Sequence, residues 1–373
     1  MKRVLISLVL MSFATMASAQ LYYEDAVNSK MLRHSAYHSE SRKEITLPKH
    51  LDGYNVYKAD LHTHTVYSDG SVTPQLRVQE AWLDGLDVMA VTEHIEYRPF
   101  EKKYAEYMGT EVKAADLNYS YRLSESEGKK WGLVIIPGTE ITRNGTTVGH
   151  FNALFTTDNN AIYDEDPLVA IRNAKAQGAL VMHNHPGWTR KDIDYTKTEK
   201  AAYKEGLIDG VEVMNTNEFY PGIVDRCREK GLFIAACSDI HGTTYNDYGY
   251  SGYLRPLTLI LAEDNSLESL KAALADGRTI AIGFNTICGT EALLESFVKA
   301  SITVTKVAGT DYLMLSNNTS IPFLIQQGDS NPYYLDPFST VRINGKKCKD
   351  SVKFTVLNAF VSEDEYLEVK LSF

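Results

Sequence analysis

Seven apolar runs recur along the chain, at 56–61, 87–92, 133–137, 151–155, 179–182, 210–214 and 232–237, each the length of one buried strand. Amphipathic stretches with helical spacing separate most of them, among them Thr73 to Leu83, Pro167 to Gln177 and Gly222 to Lys230. Gly178, Gly210 and Gly231 fall at or just after helix ends, where a left-handed residue is wanted. Repeated strand–helix alternation predicts an α/β fold with a parallel sheet or barrel. Seven strands that each carry a polar group at the C-terminal end favour a barrel, because barrel enzymes build their sites there. After residue 300 the pattern changes to short alternating strands at 301–305, 312–315, 323–325, 339–343, 351–355 and 368–371, with turns such as Asn317-Asn318 and Asn344-Gly345 between them. These predict a small antiparallel β domain of sandwich type over 291–373, after a barrel over 55–290. Residues 99–130 form a charged insertion of helical pattern that either covers the barrel mouth or is simply solvated.

The start of the chain carries a different pattern. Lys2 and Arg3 precede a mostly apolar stretch from Val4 to Met16, and Ala17-Ser18-Ala19 precedes Gln20. This is the pattern of a secretory signal peptide over 1–19. The apolar run is shorter than the ~20 residues a membrane span needs, so the expectation is an exported, periplasmic or extracellular protein with no membrane span. Residues 20–54 are polar and predict an arm laid on the domain surface, in which His34 and His38 mark an exposed helix face rather than a site. The formal net charge of −10 argues against a stable nucleic-acid partner or an anionic membrane surface. Cys227, Cys237, Cys288 and Cys348 form no C-x-x-C pair. An oxidising compartment would permit disulfides, but the apolar settings of Cys227 and Cys237 favour buried free thiols.

Chemistry concentrates at the strand ends. Seven of the ten histidines, His62, His64, His94, His150, His183, His185 and His241, lie in or beside the predicted strands, and Asp69, Glu140 and Asp239 occur in the same places. Imidazole and carboxylate are the ligands that borderline divalent metals prefer, and this many exceeds the need of one ion, which points to a multinuclear metal hydrolase. His62 and His64 are two apart on a strand and point to one side. Asp239 and His241 repeat that spacing, and a carboxylate in the apolar Cys237–Ile240 surroundings is costly unless a cation neutralises it. Glu140 has two oxygens and can bridge two ions. Asp69, in Ser68-Asp69-Gly70, is a turn-former by itself and a ligand in this company. By alternation His183 and His185 point the same way, one able to coordinate and the other to hydrogen-bond a substrate. Arg98 and Arg143 follow His94 and Glu140 and are candidates for a phosphate oxygen or for surface ion pairs.

Together, Asp60-Leu61-His62-Thr63-His64 with Ser68-Asp69-Gly70, Thr92-Glu93-His94, Gly138-Thr139-Glu140, Gly149-His150, His185-Pro186 and Ser238-Asp239-Ile240-His241 resemble the motifs of the polymerase-and-histidinol-phosphatase (PHP) family of metal-dependent phosphoesterases. The resemblance covers roughly 55–285. It implies a distorted seven-stranded (β/α)7 barrel holding two to three divalent ions (zinc, manganese or iron) at the strand ends. It implies His62, His64, Glu140 and Asp239 around one ion, Glu140, His150 and His185 around a second, and Asp69, His94 and His241 around a third, with His185 preferred to His183. Glu93 departs from the aspartate common at that position. The reaction so implied is hydrolysis of a small phosphorylated substrate, a phosphomonoester or phosphodiester, by a hydroxide bridging the metals. Hydrolysis of a non-phosphate ester or amide, and a non-catalytic metal- or metabolite-binding protein, are the alternatives.

Overall fold

All seven apolar runs form strands in the computed structural model, which describes residues 42–100, 116–142, 145–249, 253–346 and 348–373. The strands are β1 (Tyr54–Asp60), β2 (Val88–Val91), β3 (Val134–Ile141), β4 (His150–Leu154), β5 (Leu180–Asn184), β6 (Gly210–Asn215) and β7 (Phe233–Cys237). The signal-peptide pattern, most of the predicted arm with His34 and His38, and Arg143 lie outside the described residues.

The helices between them start where local chemistry dictates. Thr73 caps α1 (Pro74–Leu83) by accepting the Leu76 N–H, with Pro74 in the first turn. Asp166 and Pro167 do the same for α3 (Pro167–Ala176), which follows α2 (Tyr119–Trp131). Thr196 and Glu199 form a reciprocal capping box on α4 (Lys197–Lys204). Then comes α5 (Pro221–Lys230). The described part of the 99–130 insertion is α2, which packs against α1 and β3. Gly178 and Gly231 take the expected positive φ, 78° and 65°. Gly210 instead opens β6, where a Cβ would meet the Phe233 ring at 2.3 Å.

The expected all-parallel order breaks at β4. β1, β2 and β3 run parallel, β4 is antiparallel to both β3 and β5, and β5, β6 and β7 run parallel. The cause is the link over 142–149, which is too short for a parallel crossover and so returns the chain antiparallel. The start of β4 therefore reaches the same rim as the ends of its neighbours. The sheet edges meet at that rim, where Thr63 and Ile240 form a parallel bridge and Asp239 N–H donates to the His62 carbonyl at 3.0 Å.

Three further strands, not among those predicted, extend the sheet from β1: β8 (Leu257–Ala262), β9 (Thr279–Gly283) and β10 (Thr286–Gly289), all antiparallel. The C-terminal strands are β11 (Ile302–Lys306), β12 (Tyr312–Asn317), β13 (Phe323–Gln326), β14 (Tyr333–Leu335), β15 (Thr340–Asn344), β16 (Ser351–Phe360) and β17 (Tyr366–Ser372). β11, β12 and β15 make a small antiparallel sheet. The other four join the large sheet, because β16 pairs in parallel with β10 through Ile287 and Ala359. The result is a mixed α/β fold with one large mixed sheet and a second small one. One apolar cluster runs from Val78 and Met89 through Leu259 and Phe297 to Phe354 and Val369. All four cysteines are free, and only Cys348 among them is not fully buried.

Candidate metal centre

Nine of the predicted ligand-type residues converge on one rim. They fall into four overlapping groups whose ligand atoms lie within 4.8 Å of one another: His64, Asp69, His94 and His241; His62, His185 and Asp239; His62, His64 and Glu140; and Glu140, His150 and His185. His62 and His64 leave the end of β1 on one side, their Nε2 atoms 3.1 Å apart. Asp239 Oδ1 lies 3.2 Å from the first and 3.1 Å from the second. Asp239 follows β7 at φ 51°, a left-handed conformation that turns its carboxylate inward. Asp69 sits between His94 Nε2 at 3.2 Å and His241 Nε2 at 3.1 Å.

Glu140 occupies the middle. Its Oε1 faces His62, His150 and His185 at 3.5, 3.4 and 3.7 Å, and its Oε2 faces His94 and His64 at 2.6 and 3.7 Å. Asn184 Nδ2 donates to Oε1 at 2.8 Å and to Asn152 Oδ1 at 2.9 Å, which fixes the carboxylate plane.

His185 reaches this cluster by breaking the alternation expected of it. Its φ is 24°, so it does not share the direction of His183. His183 stays in regular β5 and points to the other face. There it is fully buried, with Nε2 3.0 Å from Glu199 Oε1 and Nδ1 3.1 Å from the Tyr203 hydroxyl. The substrate contact expected of His183 therefore has no route to the rim. Arg98 is half-buried and lies outside the cavity lining.

Two residues outside the predicted ligand set hold the ligands, Glu212, which no motif marks, and Glu93, noted above only as a departure from the common aspartate. Glu212 is fully buried in β6, accepts from His62 Nδ1 at 2.7 Å and takes the His185 N–H at 2.7 Å. Its signal was present as one acidic residue inside Gly210-Val211-Glu212-Val213-Met214. Glu93 accepts from Thr65 N at 3.1 Å, Ser68 Oγ at 2.5 Å and Ser120 Oγ at 2.7 Å, and so shapes the loop that carries Asp69.

The electrostatics are those of an ion site. Burial works against charge on His62, but Asp239, Glu212 and Glu140 outweigh it and lift its pKa well above the usual imidazole value. Burial is likewise overcome at His94, which Glu140 and Asp69 push up to about 10. His64 falls to about 4 through burial and the nearby His241 and His94. Burial raises the carboxyls of Glu140, Asp239 and Asp69, yet the surrounding imidazoles hold each well below the ordinary carboxylate range. Asp69 Oδ1 and Glu140 Oε2 are buried and receive no well-directed hydrogen bond, despite imidazole nitrogens 3.1 and 2.6 Å away. His62 Nδ1 faces the Glu212 carboxylate and His241 Nδ1 the Asp239 carbonyl at 2.8 Å, both acceptors, which turns each Nε2 toward the carboxylates. Imidazole nitrogens and carboxylate oxygens converging at such short range, with Asp69 Oδ1 and Glu140 Oε2 left unsatisfied, fit divalent cations. Above them opens a cavity of about 820 Å3 lined also by Tyr97, Thr142, Thr146, Trp188, Thr216 and Asp247.

The chain is similar to a two-domain protein from Bacteroides vulgatus that contains a predicted PHP-like metal-dependent phosphoesterase. The identity is 34%, 90% of this chain and 100% of that one are covered, and the TM-score is 0.81. Weaker likenesses are to the lesion-specific endonuclease EndoQ of Pyrococcus furiosus (17% identity, 63% of this chain and 59% of that one, TM-score 0.40) and to the histidinol phosphate phosphatase of Lactococcus lactis (15%, 50% and 87%, TM-score 0.28). No protein-family model and no curated protein sequence matches the chain. Among the described residues no helix is long and apolar enough to cross a membrane.

Proposed function

The chain belongs to the PHP-like metal-dependent phosphoesterases, and on that premise we propose that it hydrolyses a small phosphate ester at the nine-residue cluster. The observation that carries this reading is Glu140, whose two oxygens face different imidazoles and are suited to joining two ion positions. His62, His64, Glu140 and Asp239 would hold one ion, Glu140, His150 and His185 a second, and Asp69, His94 and His241 a third. Bound divalent ions would lower the pKa of water and screen the charge on the phosphoryl oxygens. The chain's own part is to aim the Nε2 atoms of His62 and His241 inward, through Glu212 on the first ring and the Asp239 carbonyl on the second. The bridge between Thr63 and Ile240 supports a closed, seven-stranded barrel as the frame, and the pattern over 1–19 supports export.

Elemental analysis of the purified protein, with a panel of phosphomonoesters, phosphodiesters, carboxylic esters and lactones, tests the reading. Phosphate-ester turnover that depends on two to three equivalents of metal, and vanishes in a folded Asp239→Ala variant, is the expected result. Undiminished turnover in that variant, or turnover of carboxylic esters alone, overturns it.

A further inference from the structure

The cavity volume falls inside the ~300–1,000 Å3 of sites that enclose a small molecule, so it has room for a leaving group beside the phosphoryl group. Two aromatic side chains stand on its wall, Tyr97 at 56% exposed and Trp188 at 44%. The Tyr97 ring lies 6.2 Å from that of His94. The Trp188 ring lies at the other end of the cluster, 5.4 Å from His150 and 5.3 Å from His185.

The position of Trp188 is fixed from several directions. Its backbone N–H donates to the His185 carbonyl at 2.9 Å, and the backbone N–H of Arg190 to that of Gly187 at 3.0 Å, which closes a tight turn. Thr189, a β-branched residue, is held at φ 58°, a strained conformation that persists only where its surroundings enforce it. A Cβ on Gly187 would meet Tyr220 Cε1 at 2.5 Å, and one on Gly145 would meet Trp188 Cε3 at 2.9 Å, so backbone lies directly against the indole. The Arg190 guanidinium grips both Glu199 oxygens, at 3.0 and 2.9 Å, and also binds the Pro186 carbonyl. A large ring held this firmly, nearly half exposed and lining the cavity beside the ligand cluster, offers a flat apolar wall to whatever occupies that cavity. Its quadrupole favours another flat ring, offset-stacked or edge-on.

We propose that Trp188 determines specificity for the leaving group, and that the substrate is a phosphate ester whose alcohol carries a flat aromatic ring. This rests on the phosphoesterase reading above. Hydrolysis breaks the P–O bond to that alcohol, water supplying the hydroxyl to phosphorus and the proton to the departing oxygen.

Benzylphosphonate and cyclohexylmethylphosphonate, alike in size and resistant to hydrolysis, are titrated into the metal-loaded full chain. The wild type should bind the benzyl compound roughly ten-fold more tightly, the size of effect one ring–ring contact supplies. Trp188→Ala should erase that preference and Trp188→Phe should keep it, with metal content unchanged in both. Equal affinities in the wild type, or a preference that survives Trp188→Ala, overturn the proposal. Loss of metal in Trp188→Ala also overturns it, by showing the indole to be packing for His150 and His185. Turnover of the two matching phosphate esters is measured alongside. A preference between the phosphonates with no ester hydrolysed would sink the phosphoesterase reading and leave the ring subsite standing.

Discussion

Glu212 holds His62 by its far nitrogen, Oε1 to Nδ1 at 2.7 Å, from a strand in which Val211 and Val213 on either side are fully buried. The other Glu212 oxygen takes the His185 N–H at 2.7 Å and the Asn215 amide at 2.8 Å, so one carboxylate sets two ligands. Glu212→Gln should weaken metal binding by about 10–100-fold, the usual cost of losing such an orienting partner. Competition with a chelator measures it, with turnover returning at saturating metal. Unchanged affinity would contradict the orienting role.

Asp69 stands apart from Glu140 and, among the described residues, pairs with His94, His241 and, at 3.9 Å, His64. Asp69→Ala should therefore remove about one equivalent of metal and leave the ions around Glu140 in place. Loss of all metal by elemental analysis would show the three positions to be interdependent.

Chelated protein should lose stability as pH rises. His62 and His94 have folded pKa values above the unfolded one, His94 up to about 10, for want of a cation among the carboxylates. Such groups contribute stability that is complete below about pH 6.5 and is lost as pH climbs through the folded value. Ions need these imidazoles deprotonated, so loaded protein escapes that loss. Calorimetry with and without chelator should show the Tm gap widening between about pH 6.5 and pH 9.5. A constant or narrowing gap would mean that the cluster does not hold these protons.

Arg77 is fully buried and ties together the two loops that carry His64 and His241. Its Nε donates to the His64 carbonyl at 3.1 Å, Nη2 to those of Ile240 and Gly242 at 3.3 and 2.7 Å, and Nη1 to Glu80 at 2.9 Å. Arg77→Met removes the cation beside the Glu80 carboxylate and the side-chain donor to the His64 and Gly242 carbonyls, and should cost about 3–5 kcal/mol in urea unfolding. A cost below about 1 kcal/mol, the worth of a surface pair, would refute this.

Much of this was legible because the chemistry-bearing residues end apolar runs. Strand ends gather in space whatever the helices between them do, so His62, His94, Glu140, Asp239 and their neighbours could be grouped without knowing any pairing. Pairing itself is non-local and was less legible. Nothing in Gly149-His150-Phe151 reveals that β4 runs backwards, although the short link before it is a clue. The union of β10 with β16 joins residues some seventy positions apart. His183 and His185 do not share a direction because alternation holds only while the backbone stays extended, and φ of 24° at His185 ends it, although His185 itself joins the cluster as expected. Leu257 to Ala262 is an apolar run like the other seven, but no ligand-type residue ends it and it pairs antiparallel, outside the strand–helix alternation.

The parallel pairing of β10 with β16 has a practical consequence. A chain cut near residue 290 would leave Thr286–Gly289 with unsatisfied backbone groups along an open edge, and would remove Phe297, Phe354, Val369 and other C-terminal members of the apolar cluster that holds Leu259 and Ile282. Such an edge is a template for self-association. The last eighty residues are thus less an appendage than the finishing hem of the sheet, without which the catalytic half should precipitate rather than stand alone.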